Sequence, residues 1–443
     1  MESDGLKLLS ISQLKQVFRP SLPEVLKSYR RILKEGVVHE PLLVERSSLT
    51  VLKGSEVLES LRLLSASKAP AILLDRSVFR VKRLKPTPEE IDLSLLLEAG
   101  IRRRLPESDF EVEVSAEIRP ISIPLSNLIS IDLDRRKLRV YESSLSLLYE
   151  DWPTPLVKLR SFSGGGRSVY AKLEAFNPFS NSVKDRVAWS MIMEAIEEGR
   201  LGEMLYEATS TNTGIALASI ANILGRKTKL FIPKTIQKVS DIILRALGAE
   251  VVRMPVSLTV EAIGDVDALA KRDKATHLNQ FENDANFKVH LKYTARELDE
   301  QLSSIGVKPD CVLGGLGTSG HMSAISIYFK SKYGEDVKIV GVQPASGEVI
   351  PGIRRVESGM KWIHLAEFDG IVDVTRDEAI EGVLEVARRE GLLIGLSSGA
   401  VFRAFKKIAK ESGNYVLIFP DSGYKYAEQL EEYFRRHGGL EKP

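Results

Sequence analysis

The chain has 443 residues, 43% hydrophobic and 7% aromatic, with 62 basic against 60 acidic side chains and a net charge of +2. A single core rarely grows that large, so two or three domains are expected. Balanced charge excludes a global field that recruits nucleic acid or a membrane surface. The lone Cys311 excludes internal disulfides and thiol-only metal sites and fits a reducing cytoplasm. No apolar run reaches the length of a membrane span, and the opening M-E-S-D-G does not read as a signal peptide.

Residues 1 to about 85 read as a small α/β unit that opens at Ile11-Ser12-Gln13-Leu14. Apolar positions at helical spacing predict an amphipathic helix from Leu22 to Glu35, stopped by Gly36. Strands follow at Pro41 to Arg46 and in L-T-V-L-K before Gly54. Next come a helix S-E-V-L-E-S-L-R-L-L and a strand from Ala71 to Asp75. Thr87-Pro88-Glu89-Glu90 has the signature of a helix start, and that helix should end at Gly100. Phe110 to Ser115 and Leu138 to Tyr141 alternate as strands do.

From about residue 145 strands alternate with helical stretches. The strands are Ser168 to Glu174, Lys229 to Pro233, Ala249 to Met254, Cys311 to Gly315, Lys338 to Gln343 and Tyr415 to Pro420. Apolar strands joined by helical crossovers mean parallel sheets covered on both faces, with ligands at the carboxyl ends of the strands. The expected division is an N-terminal domain with its extension, 1–140, and a catalytic domain, 141–443.

Four stretches in the second part carry chemistry. In A-F-N-P-F-S-N-S-V-K-D-R, Asn-Pro stops the preceding element and Ser182 can cap the helix that follows. Lys184 then sits in the first helical turn, where an amine loses its proton more readily and can form a Schiff base with an aldehyde cofactor. Glu207-Ala208-Thr209-Ser210-Thr211-Asn212-Thr213-Gly214 is a polar turn before a helix, rich in groups that hold a carboxylate or phenolic oxygen. Gly314-Gly315-Leu316-Gly317-Thr318-Ser319-Gly320-His321 joins an apolar strand to a helix and reads as a phosphate cradle. A dinucleotide site would want an acid at the end of the next strand, which instead ends in Gln343 and Pro344. Gly395-Leu396-Ser397-Ser398-Gly399-Ala400 offers a hydroxyl that can bond a pyridine nitrogen without keeping it protonated, which suits β-elimination and replacement. His39, His277, His290, His364 and His437 show no metal spacing, and Cys311 lies in an apolar strand as core.

In this order the motifs resemble the pyridoxal phosphate (PLP) enzymes of fold type II, most closely the cysteine synthases, from about Trp152 to Tyr433. Trp152-Pro153-Thr154-Pro155-Leu156-Val157 is similar to that family's opening N-T-P-L-V. The resemblance implies that Lys184 is the Schiff-base lysine and that Asn212 meets the cofactor's phenolic oxygen. It implies that Thr209, Ser210, Thr211 and Thr213 form the substrate loop, with Thr211 in place of a glycine, and that Gln280 contacts the substrate carboxylate. Gly317, Thr318, Ser319, Gly320 and His321 fall on the phosphate loop, where Ser319 and His321 depart from the common pattern. Ser397 falls on the residue at the pyridine nitrogen.

The long lysine loop and Q-P-A-S-G-E-V-I-P-G-I-R-R resemble archaeal O-phosphoserine sulfhydrylases. By that match Arg354, with Arg355 beside it, would read the substrate phosphate. I-P-G-I-R-R also occurs in the cysteine synthase B type, which uses O-acetylserine.

The N-terminal order of elements resembles the ParB/sulfiredoxin-like superfamily, especially its free-serine kinases. Lys53-Gly54-Ser55-Glu56-Val57 stands where those carry Asp-Gly-His-His-Arg, so only the glycine matches. The implied reading is a homodimeric cytoplasmic enzyme making cysteine from O-phosphoserine or O-acetylserine and sulfide, with a structural or regulatory N-terminal domain. Alternatives are cystathionine β-synthase-type replacement, another type II reaction such as a dehydratase or threonine synthase, a serine-phosphorylating bifunctional enzyme, and a nucleotide- or DNA-binding regulator.

Overall fold

The computed structural model describes residues 5–84, 89–92, 94, 105–115, 118–129 and 139–438. They divide into two units, Met1–Arg135 with Glu197–Gly199 and Arg136–Ile196 with Arg200–Pro443.

The first unit is built on a five-stranded mixed sheet. Its order is Lys7–Ser10, Lys68–Leu74, Leu42–Glu45, Thr50–Lys53 and Lys15–Gln16. Helices Leu22–Glu35 and Ser55–Leu63 fall where their periodicity puts them. The first is capped by Ser21 with Glu24 and closes on Gly36 at φ +68, a left-handed turn that glycine adopts without strain. They touch at Ser60, whose hydroxyl donates to the Val25 carbonyl.

Two expectations fail here. Glu89–Glu90 is a short strand paired with Phe79–Arg83 in a small antiparallel sheet, not a helix start. A sheet partner outweighed the local Pro-Glu-Glu signal. The helix to Gly100 lies outside the described residues except at 91, 92 and 94. Arg139 to Tyr141 is not a strand: Arg139 has φ +48, and the Tyr141 hydroxyl donates to Asp151 at 2.7 Å.

The second unit has two sheets. One orders Leu156–Lys158, Arg167–Leu173, Gly413–Phe419, Cys311–Gly315, Lys338–Pro344 and Gly370–Val374, parallel except for its first pair. The other orders Glu250–Met254, Lys227–Pro233, Met204–Ala208 and Thr276–His277, all parallel. Sequence patterning missed four of these strands: Leu156–Lys158, Met204–Ala208, Thr276–His277 and Gly370–Val374. All are short, and each has a polar residue in the run. Cys311 is buried core, its thiol pushed up to about 12 by burial. No described helix is long and apolar enough to cross a membrane.

A buried charge cluster ties the second unit together. Arg186, fully buried, donates Nε to Glu174 at 2.6 Å, Nη1 to Glu297 at 2.9 Å and Nη2 to Glu297 at 2.8 Å. Its guanidinium lies over the Trp152 ring, 4.4 Å from the centroid. Lys172, also buried, donates to the Thr154 carbonyl, Gln301 and Glu297. Burial alone would raise the Glu174 carboxyl, but Arg186 and Lys172 outweigh it and hold it at about 2.

Removing one member of such a cluster strands the others in a dry interior. Arg186→Met should therefore cost about 3–5 kcal/mol of stability. Urea unfolding read by tryptophan fluorescence checks this, since Trp152, Trp189 and Trp362 all lie in this unit. A loss under about 1 kcal/mol would reduce the cluster to a marginal contact. Because the folded carboxyl of Glu174 sits below its usual 4.5, its contribution is full above that pH and fades as pH falls toward about 2.

Candidate active site

The helix Lys184–Glu197 starts as the sequence predicts, with the Lys184 N–H donating to Ser182 Oγ at 3.1 Å. Buried Asp185 accepts the N–H groups of Phe179 at 2.7 Å and Ser180 at 2.9 Å, and also the Ser180 hydroxyl, which pins the loop before the helix. Two helical residues span about 200°. With Arg186 locked into the charge cluster, Lys184 must therefore face the other way. It lines a cleft of about 140 Å³ with Ser210, Gln280, Phe281, Thr318 and Arg354. Burial brings the Lys184 amine down to about 8, opposed by the charge of Asp421.

The glycine-rich turn follows strand Cys311–Gly315 and feeds the 14-residue helix Gly320–Tyr333. A Cβ at Gly317 would lie 2.6 Å from the Gly352 carbonyl oxygen, and one at Gly320 would lie 2.6 Å from Asn286 Oδ1. Ser319 holds φ +69. Asn286 Nδ2 donates to Thr318 Oγ1 at 3.0 Å and to the Gln280 carbonyl at 2.7 Å. Ser319 Oγ and His321 Nε2 are buried without a hydrogen-bond partner. Burial, with Lys184 adding, lowers His321 to about 3, so its ring is neutral. A glycine cradle at a helix N-terminus with two orphaned polar atoms fits a phosphate group.

Residues 147–421 match the family of pyridoxal-phosphate dependent enzymes. The chain belongs to that family. Among its relatives, cysteine synthase B of Escherichia coli (strain K12) is 35% identical over 298 residues, covering 65% of this chain and 97% of that protein. A cysteine synthase of Staphylococcus aureus (strain Mu50) is 37% identical over 292 residues, covering 62% and 92%. Similar solved structures include an O-ureido-L-serine synthase, at 26% identity and TM-score 0.60, covering 69% of this chain and 97% of that one. Another is a hydrogen sulfide-producing enzyme from Fusobacterium nucleatum, at 32% identity and TM-score 0.59, covering 65% and 100%. The PLP enzyme is thus an α/β fold of type II across its second unit.

The remaining predicted residues of this PLP enzyme occupy several settings. Thr211, Asn212 and Thr213 fall inside the first turn of helix Thr211–Ile223, not in a loop before it. Thr209 Oγ1 donates to the Ser210 carbonyl, Thr211 shares a hydrogen bond with Ser240, and Thr213 donates to Gln280 Oε1 at 2.8 Å. These hydroxyls brace the loop, and of the four only Ser210 lines the cleft. Asn212 Nδ2 donates to Asp421, and its Oδ1 is buried without a partner. Ser397 lies in the first turn of helix Leu396–Ile408, under Gly352.

The two arginines part company. Arg354 lines the cleft, donates to the Gly317 carbonyl at 2.8 Å and to Ser358, and sits over the Phe281 ring. Arg355 does not line the cleft. It pairs with Asp373 at 2.8 Å and Glu357 at 2.9 Å.

Sequence reasoning missed Asn286 and Asp421, and it gave Glu207, the first residue of the polar turn, no role of its own. Glu207 is the next-to-last residue of strand Met204–Ala208, and burial raises it to about 8. Its carboxyl takes the N–H groups of Asn279 at 2.8 Å and Gln280 at 3.0 Å and so sets the Gln280 turn. Glu207 and Asp421 both stand at the carboxyl ends of parallel strands, and that rule could have found them.

Gly317→Ala should weaken PLP retention roughly tenfold to a hundredfold, because the new methyl meets rigid backbone. Gly264→Ala, with open space around it, is the control. Equilibrium dialysis of the two variants decides; equal affinities would remove the cradle.

Proposed function

We propose that this PLP enzyme is a cysteine synthase that replaces the oxygen substituent of an activated serine with sulfide, with O-phosphoserine as the favoured substrate. The cofactor, when bound, supplies the electron sink for negative charge at the substrate Cα. Lys184 Nζ, kept near neutral pH by burial, takes the proton from Cα and can return it. Ser397 would hold the pyridine nitrogen and Asn212 the phenolic oxygen. Gly317, Thr318, Ser319, Gly320 and His321 would hold the phosphate, with His321 as a neutral donor. Gln280, fixed by Glu207 and Thr213, orients the substrate carboxylate.

One observation carries the choice of leaving group. Arg354 reaches the same cleft as Lys184 with no carboxylate among its hydrogen-bond partners, whereas Arg355 is neutralised. Burial lowers the Arg354 guanidinium to about 10, still fully charged at neutral pH. A desolvated cation of that kind is matched by a phosphate dianion and has nothing to gain from a neutral acetate ester.

The first unit is best read as a ParB/sulfiredoxin-like domain without its kinase motif, in a structural or regulatory role. Strand Thr50–Lys53, Gly54 at φ +92 and helix Ser55–Leu63 support that reading. A cytoplasmic homodimer is the matching expectation.

Lys184→Ala should abolish turnover and the visible absorbance of the loaded cofactor; a variant that kept both would end the assignment. Arg354→Ala should lower kcat/KM for O-phosphoserine tenfold to a hundredfold, from the loss of about 1.5–3 kcal/mol. O-acetylserine turnover should barely change. Steady-state kinetics with both substrates check this, and equal losses would favour O-acetylserine as the natural substrate.

A further inference from the structure

The segment Pro420–Asp421–Ser422 fastens three parts of the site. The Pro420 carbonyl accepts the Val183 N–H at 2.8 Å, beside Lys184. The Asp421 carbonyl accepts the Gly395 N–H at 3.0 Å, two residues before Ser397. Bridges join Ser182 to Asp421 and Ile394 to Ser422.

The Asp421 side chain is 1% exposed. Its Oδ2 accepts from Asn212 Nδ2 at 2.8 Å and from the Tyr426 hydroxyl at 2.5 Å. Its Oδ1 has no hydrogen-bond partner and lies so close to Gly395 that a Cβ there would come to 1.8 Å. Lys425 Nζ forms an ion pair with Oδ2 at 3.9 Å, so it shares this carboxylate, and it also donates to the Ser180 carbonyl at 2.6 Å. Asp185 is fully engaged by its own loop. The two rings that feel the charge of the Lys184 amine, His321 and His290, are both held neutral by burial. Asp421 is the group that opposes the effect of burial on that amine.

We propose that Asp421 is a positioning residue that orients the Asn212 amide toward the cofactor and serves as the counter-charge of the Lys184 ammonium. Asn212 has four hydrogen-bonding positions and free rotation about its last bond. Committing one N–H to a fixed carboxylate sets the direction of its remaining N–H and of its unpartnered oxygen. The carboxylate also favours Lys184 at the moment the amine holds a proton, without pairing so closely that the proton cannot be returned. This inference rests on the placement of PLP against Lys184 and Asn212.

The test uses the full-length chain carrying Asp421→Asn or Asp421→Ala, stripped of cofactor and then titrated with it. Acylation of Lys184 by acetic anhydride, followed by peptide mass spectrometry across pH, reports the amine. Both variants lose a negative charge that favours the ammonium, so the midpoint should fall by about one pH unit. PLP affinity should drop about tenfold in Asp421→Ala, where Asn212 is undirected, and recover in Asp421→Asn, whose amide oxygen can take both donors. An unmoved midpoint in Asp421→Asn overturns the counter-charge. Unchanged affinity in Asp421→Ala overturns the orienting role. Should that variant fail to fold, Asn212→Ala replaces it: an affinity equal to wild type would overturn the same role. Wild-type protein in which PLP does not protect Lys184 from acylation would instead refute the cofactor placement itself.

Discussion

The Arg186 cluster is the constraint on which the site depends. A guanidinium with no exposed surface cannot be left unpaired, so Glu174, Glu297 and Thr154 fix the rotation of its helix. Lys184 belongs to that same helix two residues earlier, and its direction follows. The cluster also links distant stretches: Thr154 precedes the first strand of the large sheet, Glu174 directly follows the second, and Glu297 comes from a helix more than a hundred residues on. A local sequence motif thus acquires its geometry from a long-range electrostatic necessity.

Around the cleft, burial rather than pairing sets most protonation states. It pulls Lys184 toward neutrality, keeps His321 uncharged and raises Glu207 enough for its carboxyl to hold a proton at neutral pH. Arg354 resists, because a guanidinium lowered to about 10 is still a cation. The cleft therefore presents a basic amine near its titration range beside one permanent positive charge. That contrast separates a group able to move protons from one fit only to read charge.

Much of this was legible in the sequence, for identifiable reasons. Gly317 and Gly320 announce themselves because backbone or a buried amide sits where a side chain would go. Lys184 follows a cap that reads from sequence. Leu22–Glu35 shows both its period and its stop. What failed had weaker local signals or answers to distant partners. Glu89–Glu90 joins a strand, and Arg139 to Tyr141 bends away to Asp151. The carboxyl of Asp421 matters because of Asn212, some two hundred residues earlier, and Glu207 because of a turn seventy residues later. The role of Arg355 could not be separated from that of its neighbour until Asp373 was seen beside it.

The contact between Gly317 and Gly352 reaches further than the space it saves. Leu316 accepts the Arg354 N–H at 2.8 Å, and Gly317 accepts its Nε at 2.8 Å. The loop bearing Arg354 is thus stitched to the turn that would clasp the cofactor's phosphate. The Arg354 loop and the glycine-rich turn are joined through backbone and are not separate modules. A chimera that imported the 345–358 loop from another enzyme, to change which leaving group is accepted, would carry an altered grip on the cofactor with it. On the proposed reading, recognition of the departing group and retention of the prosthetic group would be, in this architecture, a single heritable trait.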